Sequence, residues 1–128
     1  MRLLLTGADG QLGRALAPRL SERGDVIETT LLGVEGSRAL DLSDFSALRA
    51  MLEELRPALI FNAAAYTAVD QAESEPELAR AINADAPGVM ADWAAANDAG
   101  LVHFSTDYVF DGRKGAPYIE GDATSPLN

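Results

Sequence analysis

The chain is 128 residues long, 48% hydrophobic and 23% charged, which suits one compact domain with an ordinary core and argues against disorder. Ten basic residues against twenty acidic ones give a net charge of −10, so most of the surface repels a polyanion and nucleic acid is not expected as a partner. There is no cysteine, which excludes disulfides and thiolate metal sites and favours a cytoplasmic home, and no apolar run approaches the ~18 residues of a membrane span. On so acidic a chain an anionic ligand has to be held by local backbone N–H groups and helix ends rather than by a basic field.

In chain order, Arg2–Thr6 is a short apolar run that stops at Gly7, as a buried parallel strand entering a tight turn does; it is too short for a signal peptide. Gln11–Arg23 carries Leu12, Leu16 and Leu20 on one helical stripe, with Gly24 as its stop. Pro18 lies inside that stretch and would cost about 3 kcal/mol in an ideal helix interior, so the helix either kinks there or absorbs the loss through packing. Val26–Leu32 predicts a second strand and Arg38–Asp41 a short third one. Ser43 is a good N-cap for a helix with Phe45, Leu48, Met51, Leu52 and Leu55 on one side, ended by Pro57.

Ala58–Ala63 is a continuous apolar run, the pattern of a strand covered on both faces. Val69–Ala99 is largely helical, and Pro76, Pro87 and Gly88 predict two or three pieces, with Gly100 as the C′ residue. Leu101–Ser105 predicts the fifth strand, and Tyr108–Asn128, rich in Gly, Pro and Asp, reads as loop. Strands alternating with helices imply an α/β fold, a doubly wound parallel sheet with helices on both faces.

The sharpest motif is Thr6-Gly7-Ala8-Asp9-Gly10-Gln11-Leu12-Gly13, after a strand and opening a helix. Gly7 permits the sharp turn, Gly10 leaves the backbone open to a pyrophosphate, and Gly13 lets the helix pack closely. The helix N-terminus then offers free N–H groups and a partial positive charge to phosphates. This is the architecture of a Rossmann-type dinucleotide site, and it predicts that residues 1–128 form the N-terminal part of an NAD(P)-binding domain.

The spacing Gly-x-x-Gly-x-x-Gly resembles that of extended short-chain dehydrogenases/reductases. Asp41-Leu42 resembles the pair that this family places beside the adenine, and Asn62-Ala63-Ala64-Ala65-Tyr66-Thr67-Ala68-Val69-Asp70 resembles the segment after its fourth strand. Ser105-Thr106-Asp107-Tyr108-Val109-Phe110-Asp111-Gly112 and the stretch Pro117–Asn128 follow the fifth strand. Together these strings resemble the dTDP-4-dehydrorhamnose reductase family over essentially the whole chain.

That resemblance implies hydride transfer from NADPH or NADH to the C4 keto group of dTDP-4-dehydro-L-rhamnose. It implies cofactor contacts from Gly7, Gly10, Gln11, Leu12, Gly13, Asp41, Leu42, Ala63, Ala64, Ala65, Tyr66, Thr67 and Phe104, and substrate contacts from Thr106 and Asp107. Thr106 matches the family's catalytic Thr, although a hydroxyl capping a strand end is the plain alternative. The family's Tyr-x-x-x-Lys is not in the chain, since neither Tyr108 nor Tyr118 has a Lys four residues on. The chain is therefore expected to be an incomplete reductase, inactive alone, with its C-terminal substrate domain absent and a homodimer formed only by the full-length protein.

The end of the second strand, where NAD-specific sites carry an acid, reads Glu28-Thr29-Thr30-Leu31. Thr30 at the terminal position and Arg38 beyond it, placed to meet a 2′-phosphate, predict a modest preference for NADP; Glu28 is the acid if the strand ends earlier. Arg14 is either a phosphate ligand or a solvated helix residue. His103, the only histidine, reads as packed or hydrogen-bonded, Trp93 as core, and the Glu53-Glu54 and Glu73/Glu75/Glu77 groups as solvated faces. No metal site is expected. Two other functions remain open: a non-catalytic dinucleotide-binding regulatory module, and a sugar-nucleotide epimerase or dehydratase that uses bound NAD without net turnover.

Overall fold

A computed structural model describes residues 1–34 and 36–128. Five strands, β1 (Arg2–Thr6), β2 (Asp25–Thr30), β3 (Arg38–Ala39), β4 (Leu59–Asn62) and β5 (Gly100–His103), form one sheet in the order β3-β2-β1-β4-β5. Every pairing is parallel. The chain winds outward from β1 to β3 and then returns to place β4 on the other side of β1. This reversal leaves a crevice at the carboxyl ends of β1 and β4, where open α/β sheets bind ligands.

The period-two alternation of β1 decides which helix covers which face. Leu4 points to the side covered by helices α2 (Phe45–Leu55) and α5 (Ala86–Ala96), in a core with Leu48, Leu52, Ile60, Met90 and Trp93. Leu3 and Leu5 point to the other side, against Leu20 of α1 (Gln11–Ser21). Helices on both faces are what the continuous apolar runs of β1 and β4 anticipated.

Several boundaries differ from the sequence reading. Helix α1 runs on through Pro18, whose ring faces solvent, where water can serve the carbonyl that loses its intrahelical partner. Asp44, not Ser43, caps α2: its carboxylate accepts from Ser46 N–H at 3.0 Å and Ala47 N–H at 2.9 Å. Ser43 instead donates to Asp41 from both its N–H and its hydroxyl, closing the turn before the cap. Gly100 is not the C′ residue of a helix. It is the first residue of β5, beside Leu59, and a Cβ there would lie 2.6 Å from Leu59 Cδ1. The left-handed residue that ends α5 is Asp98, at φ +54°.

The region 69–99 forms a short helix α3 (Val69–Ala72), then an unbroken helical rod from Pro76 to Ala96. That rod is α4 (Pro76–Arg80), a π-helical turn over Ala81–Asp85, and α5. Pro87 does not break it. Its ring would clash with the carbonyl of Asn83 in an α-helix, and the turn widens instead, with Ala86 N–H reaching back to Ala81 O. Past β5, Asp107–Val109 forms a single 3₁₀ turn, and the chain then follows an irregular path to Asn128.

Candidate functional site

The turn between β1 and α1 is closely packed. Gly7 has φ +66°, and a Cβ on it would lie 2.7 Å from the Ala64 backbone, so the turn is pressed against the segment that leaves β4. A Cβ on Gly13 would stand 2.1 Å from Gly7 O and 2.7 Å from Ala8 Cα. Gly13 is buried under the turn and does not line the crevice; it lets α1 dock. Gly10 differs from both: its Cβ would meet only Gly7 O, at 3.3 Å, and its surface opens to the crevice.

Gly10 is also the N-cap of α1, with no side-chain cap, and no acidic residue sits in the first helical turn. The helix N-terminus is thus left to an external acceptor. Arg14 braces the turn, its Nε donating to Asp9 O at 2.8 Å.

Two clefts meet at this point. The first, about 660 Å³, is lined by Gly7, Gly10, Gln11, Leu12, Thr29, Thr30, Leu31, Asp41, Leu42, Ile82 and the segment Ala63–Thr67. The second, about 740 Å³, shares Ala63–Thr67 and adds Asn83, His103, Phe104, Thr106 and Tyr108. The segment after β4 is therefore a common wall. Most residues proposed from the sequence as cofactor contacts gather in the first cleft. Phe104 lies in the second, with Thr106. Asp107 lines neither; it opens the 3₁₀ turn, and its carboxylate accepts from the Thr106 hydroxyl at 3.3 Å. Thr106 caps that turn, accepting from Tyr108 N–H at 3.2 Å, while also facing the second cleft. The capping reading of its hydroxyl therefore holds, at the start of the 3₁₀ turn.

Arg38 does not reach the cleft. Its guanidinium makes a two-pronged contact with Glu54 on α2, at 2.8 Å for each N–H···O. That contact raises the arginine pKa and holds Glu54 below the usual carboxylate range. Glu28 is likewise absent from the lining, so neither sequence candidate for reading the ribose stands there. Thr30 instead organises the loop beyond β2: its hydroxyl oxygen accepts from Gly33 N–H at 2.9 Å and Val34 N–H at 3.1 Å.

Sequence reasoning passed over a polar line beneath the clefts. Thr6 donates its hydroxyl to Asn62 Oδ1 at 2.6 Å, both side chains fully buried, and Asn62 Nδ2 meets His103 Nδ1 at 3.1 Å. The three residues sit side by side at the carboxyl ends of β1, β4 and β5, as the strand register requires. Since Asn62 Oδ1 already accepts from Thr6, its amide is the donor to His103, which places the imidazole proton on Nε2. The available signal was that each apolar run ends on a polar residue.

Glu75 was also misplaced by sequence, as part of a solvated face. Its carboxylate accepts the Tyr66 hydroxyl in a short hydrogen bond, which with burial and the carboxylate charge raises the phenol pKa. Glu53 is exposed, as expected of a solvated face, and also accepts from Trp93 Nε1 at 2.8 Å, while the Trp93 ring is buried as expected. Among the described residues no group of three or more His, Asp or Glu is placed to hold a metal ion, and no helix is long and apolar enough to cross a membrane.

The model of the RmlD substrate binding domain family matches residues 1–128. The chain belongs to this family. A dTDP-4-dehydrorhamnose reductase of Streptomyces griseus is 48% identical over 125 residues, which are 98% of this chain and 40% of that protein. Among solved structures, a hypothetical dTDP-4-dehydrorhamnose reductase from Sulfolobus tokodaii superposes with a TM-score of 0.92 at 46% identity, covering 100% of this chain and 47% of that one. A dTDP-4-dehydrorhamnose reductase from Bacillus anthracis, solved in complex with NADP, has a TM-score of 0.86 at 38% identity, covering 99% of this chain and 44% of that one. The chain thus spans about 40% of the length of the curated relatives it matches.

Proposed function

We propose that this chain is the cofactor-binding part of an NAD(P)H-dependent reductase that acts on the C4 keto group of dTDP-4-dehydro-L-rhamnose, in dTDP-L-rhamnose biosynthesis. The observation that carries the reading is the pair of clefts at the sheet's switch point, one floored by an uncapped helix N-terminus and both walled by Ala63–Thr67. A dinucleotide needs two adjoining compartments of this kind, one for the adenosine and pyrophosphate and one for the nicotinamide. The relatives that carry the activity in their names support the choice of substrate.

The residues present fit the cofactor. Gly7 and Gly10 leave the backbone bare, and the first turn of α1, at Gln11 and Leu12, presents N–H groups without a competing acid, so the pyrophosphate belongs there. Asp41 and Leu42 line the first cleft, where they would meet the adenosine. Ala63–Thr67 lies along the cofactor. When bound, the reduced nicotinamide supplies the hydride. Thr106, with Phe104 in the second cleft, holds the oxygen of the sugar through its hydroxyl. Tyr66, Tyr108 and Tyr118 each lack a Lys four residues on, so no tyrosine here has the partner that lowers a phenol toward neutral pH, and the 128-residue chain does not turn over by itself.

The test is a titration of NADPH and NADH fluorescence with the purified chain, beside an assay for reduction of the keto sugar. Saturable binding without turnover is the expected result. Failure to saturate at millimolar cofactor, or measurable turnover, refutes the reading.

A further inference from the structure

We propose that Asn83 is a positioning residue, which fixes the wall between the two clefts by pairing its side-chain amide with the backbone of Tyr66 in both directions. Tyr66 N–H donates to Asn83 Oδ1 at 2.8 Å, and Asn83 Nδ2 donates to Tyr66 O at 3.0 Å. The ring so formed copies the exchange of hydrogen bonds between paired strand residues, with a side chain in place of the second strand.

The segment Ala63–Thr67 has no regular structure of its own. Its start is tied to β1 through Ala63 N–H on Thr6 O at 3.2 Å, and its end enters α3 through Ala72 N–H on Ala68 O at 2.9 Å. The Asn83 ring holds its middle. The Tyr66 side chain is fixed separately, by Glu75.

The π-helical turn delivers Asn83 to this place. The pitch opens at Ala81–Asp85 because Pro87, four residues after Asn83, cannot accept the α-helical arrangement. The same turn aims Ile82 into the first cleft and Asn83 into the second. A proline with no evident purpose in a helix thereby sets the seam of the site. Asn83 is solvent-exposed and belongs to neither core cluster, so its loss leaves the core intact.

The inference rests on the cofactor reading above, and the two can fail separately. In the 128-residue chain, Asn83→Ala is expected to speed amide exchange at Tyr66 about tenfold, the scale of one net hydrogen bond. It should weaken NADPH, which follows the wall through both clefts, about tenfold, and adenosine 2′,5′-diphosphate, which meets the wall from the first cleft alone, by a clearly smaller factor of about threefold. Pro87→Ala, which restores an N–H for the Asn83 carbonyl, should give the same pattern. Asn83→Asp retains the acceptor and should keep Tyr66 protected. Equal losses for both nucleotides, no loss for either, or unchanged Tyr66 exchange overturn the positioning role while cofactor binding stands. If the unaltered chain saturates with neither nucleotide, the cofactor reading fails and the positioning role falls with it.

Discussion

The glycine turn makes a prediction that separates folding from binding. At Gly13 a methyl group would stand 2.1 Å from Gly7 O, more than an ångström inside the 3.4 Å at which ordinary contact begins. The obstacle is backbone, which cannot rotate away as a side chain would. Overpacking of this kind costs about 1–3 kcal/mol, the upper end applying here, and alanine's better helix propensity returns about 1 kcal/mol. Gly13→Ala is therefore destabilised by about 2 kcal/mol, a fall in Tm of about 8 °C for a chain of this length. Gly10 has φ −74°, which any residue adopts, and a Cβ there meets only Gly7 O at 3.3 Å before opening into the crevice. Gly10→Ala should melt within about 2 °C of the unaltered chain yet bind NADPH at least about tenfold more weakly. Thermal melts followed by circular dichroism, beside the NADPH titration, read both quantities. If Gly13→Ala melts with the unaltered chain, or Gly10→Ala binds NADPH undiminished, the division of labour among these glycines is wrong.

Arg38→Ala should leave the ratio of NADPH to NADH affinity unchanged, because the guanidinium is committed to Glu54 outside the cleft; a selective loss of NADPH binding, measured by parallel titrations, would return Arg38 to the ribose site. Tyr66 should ionise above the ordinary phenol value of 10.0, since Glu75 accepts its proton in a hydrogen bond and repels the phenolate. A raised folded-state value means that this interaction is fully present below pH ~10 and is lost as the pH rises through the shifted value. An alkaline titration of phenolate absorbance, with Tyr66→Phe to assign the late step and Glu75→Ala expected to bring it down, checks the sign; a Tyr66 step at or below that of the other tyrosines contradicts it.

What the sequence disclosed and what it withheld divide along chain separation. The turn Gly7–Gly13 was legible because its constraints are local: a positive φ, a bare backbone and a docking helix within seven residues of one another. Strands β1 and β4 were legible because each is an apolar run covered on both sides. Thr6 and Asn62 are 56 residues apart, Asn62 and His103 41, Tyr66 and Asn83 17, and their pairing depends on register and helix pitch that no local pattern encodes. Arg38 misled for the same reason: a charge near the expected place in sequence found its partner on α2, 16 residues away. Pro87 was read as a break between helical pieces and is not one, because a proline can break a helix or widen it. The outcome depends on whether packing holds the rod together, as Ile82 before the proline and Val89, Met90 and Trp93 after it do here.

Both walls of the crevice are therefore made by residues that a regular element would exclude. On one side Gly7 and Gly13 remove side chains so that the turn, the helix and the segment after β4 come together; on the other Pro87 removes an N–H so that the helix opens and releases Asn83 toward that same segment. Ala64 is met by the glycine turn and Tyr66 by the asparagine, two residues apart on one stretch of chain. An irregular segment held at both points can have a defined shape without strand or helix hydrogen bonds of its own. A ligand lying along it then finds its wall already ordered, and the entropy of fixing the loop is lost on folding instead of on binding.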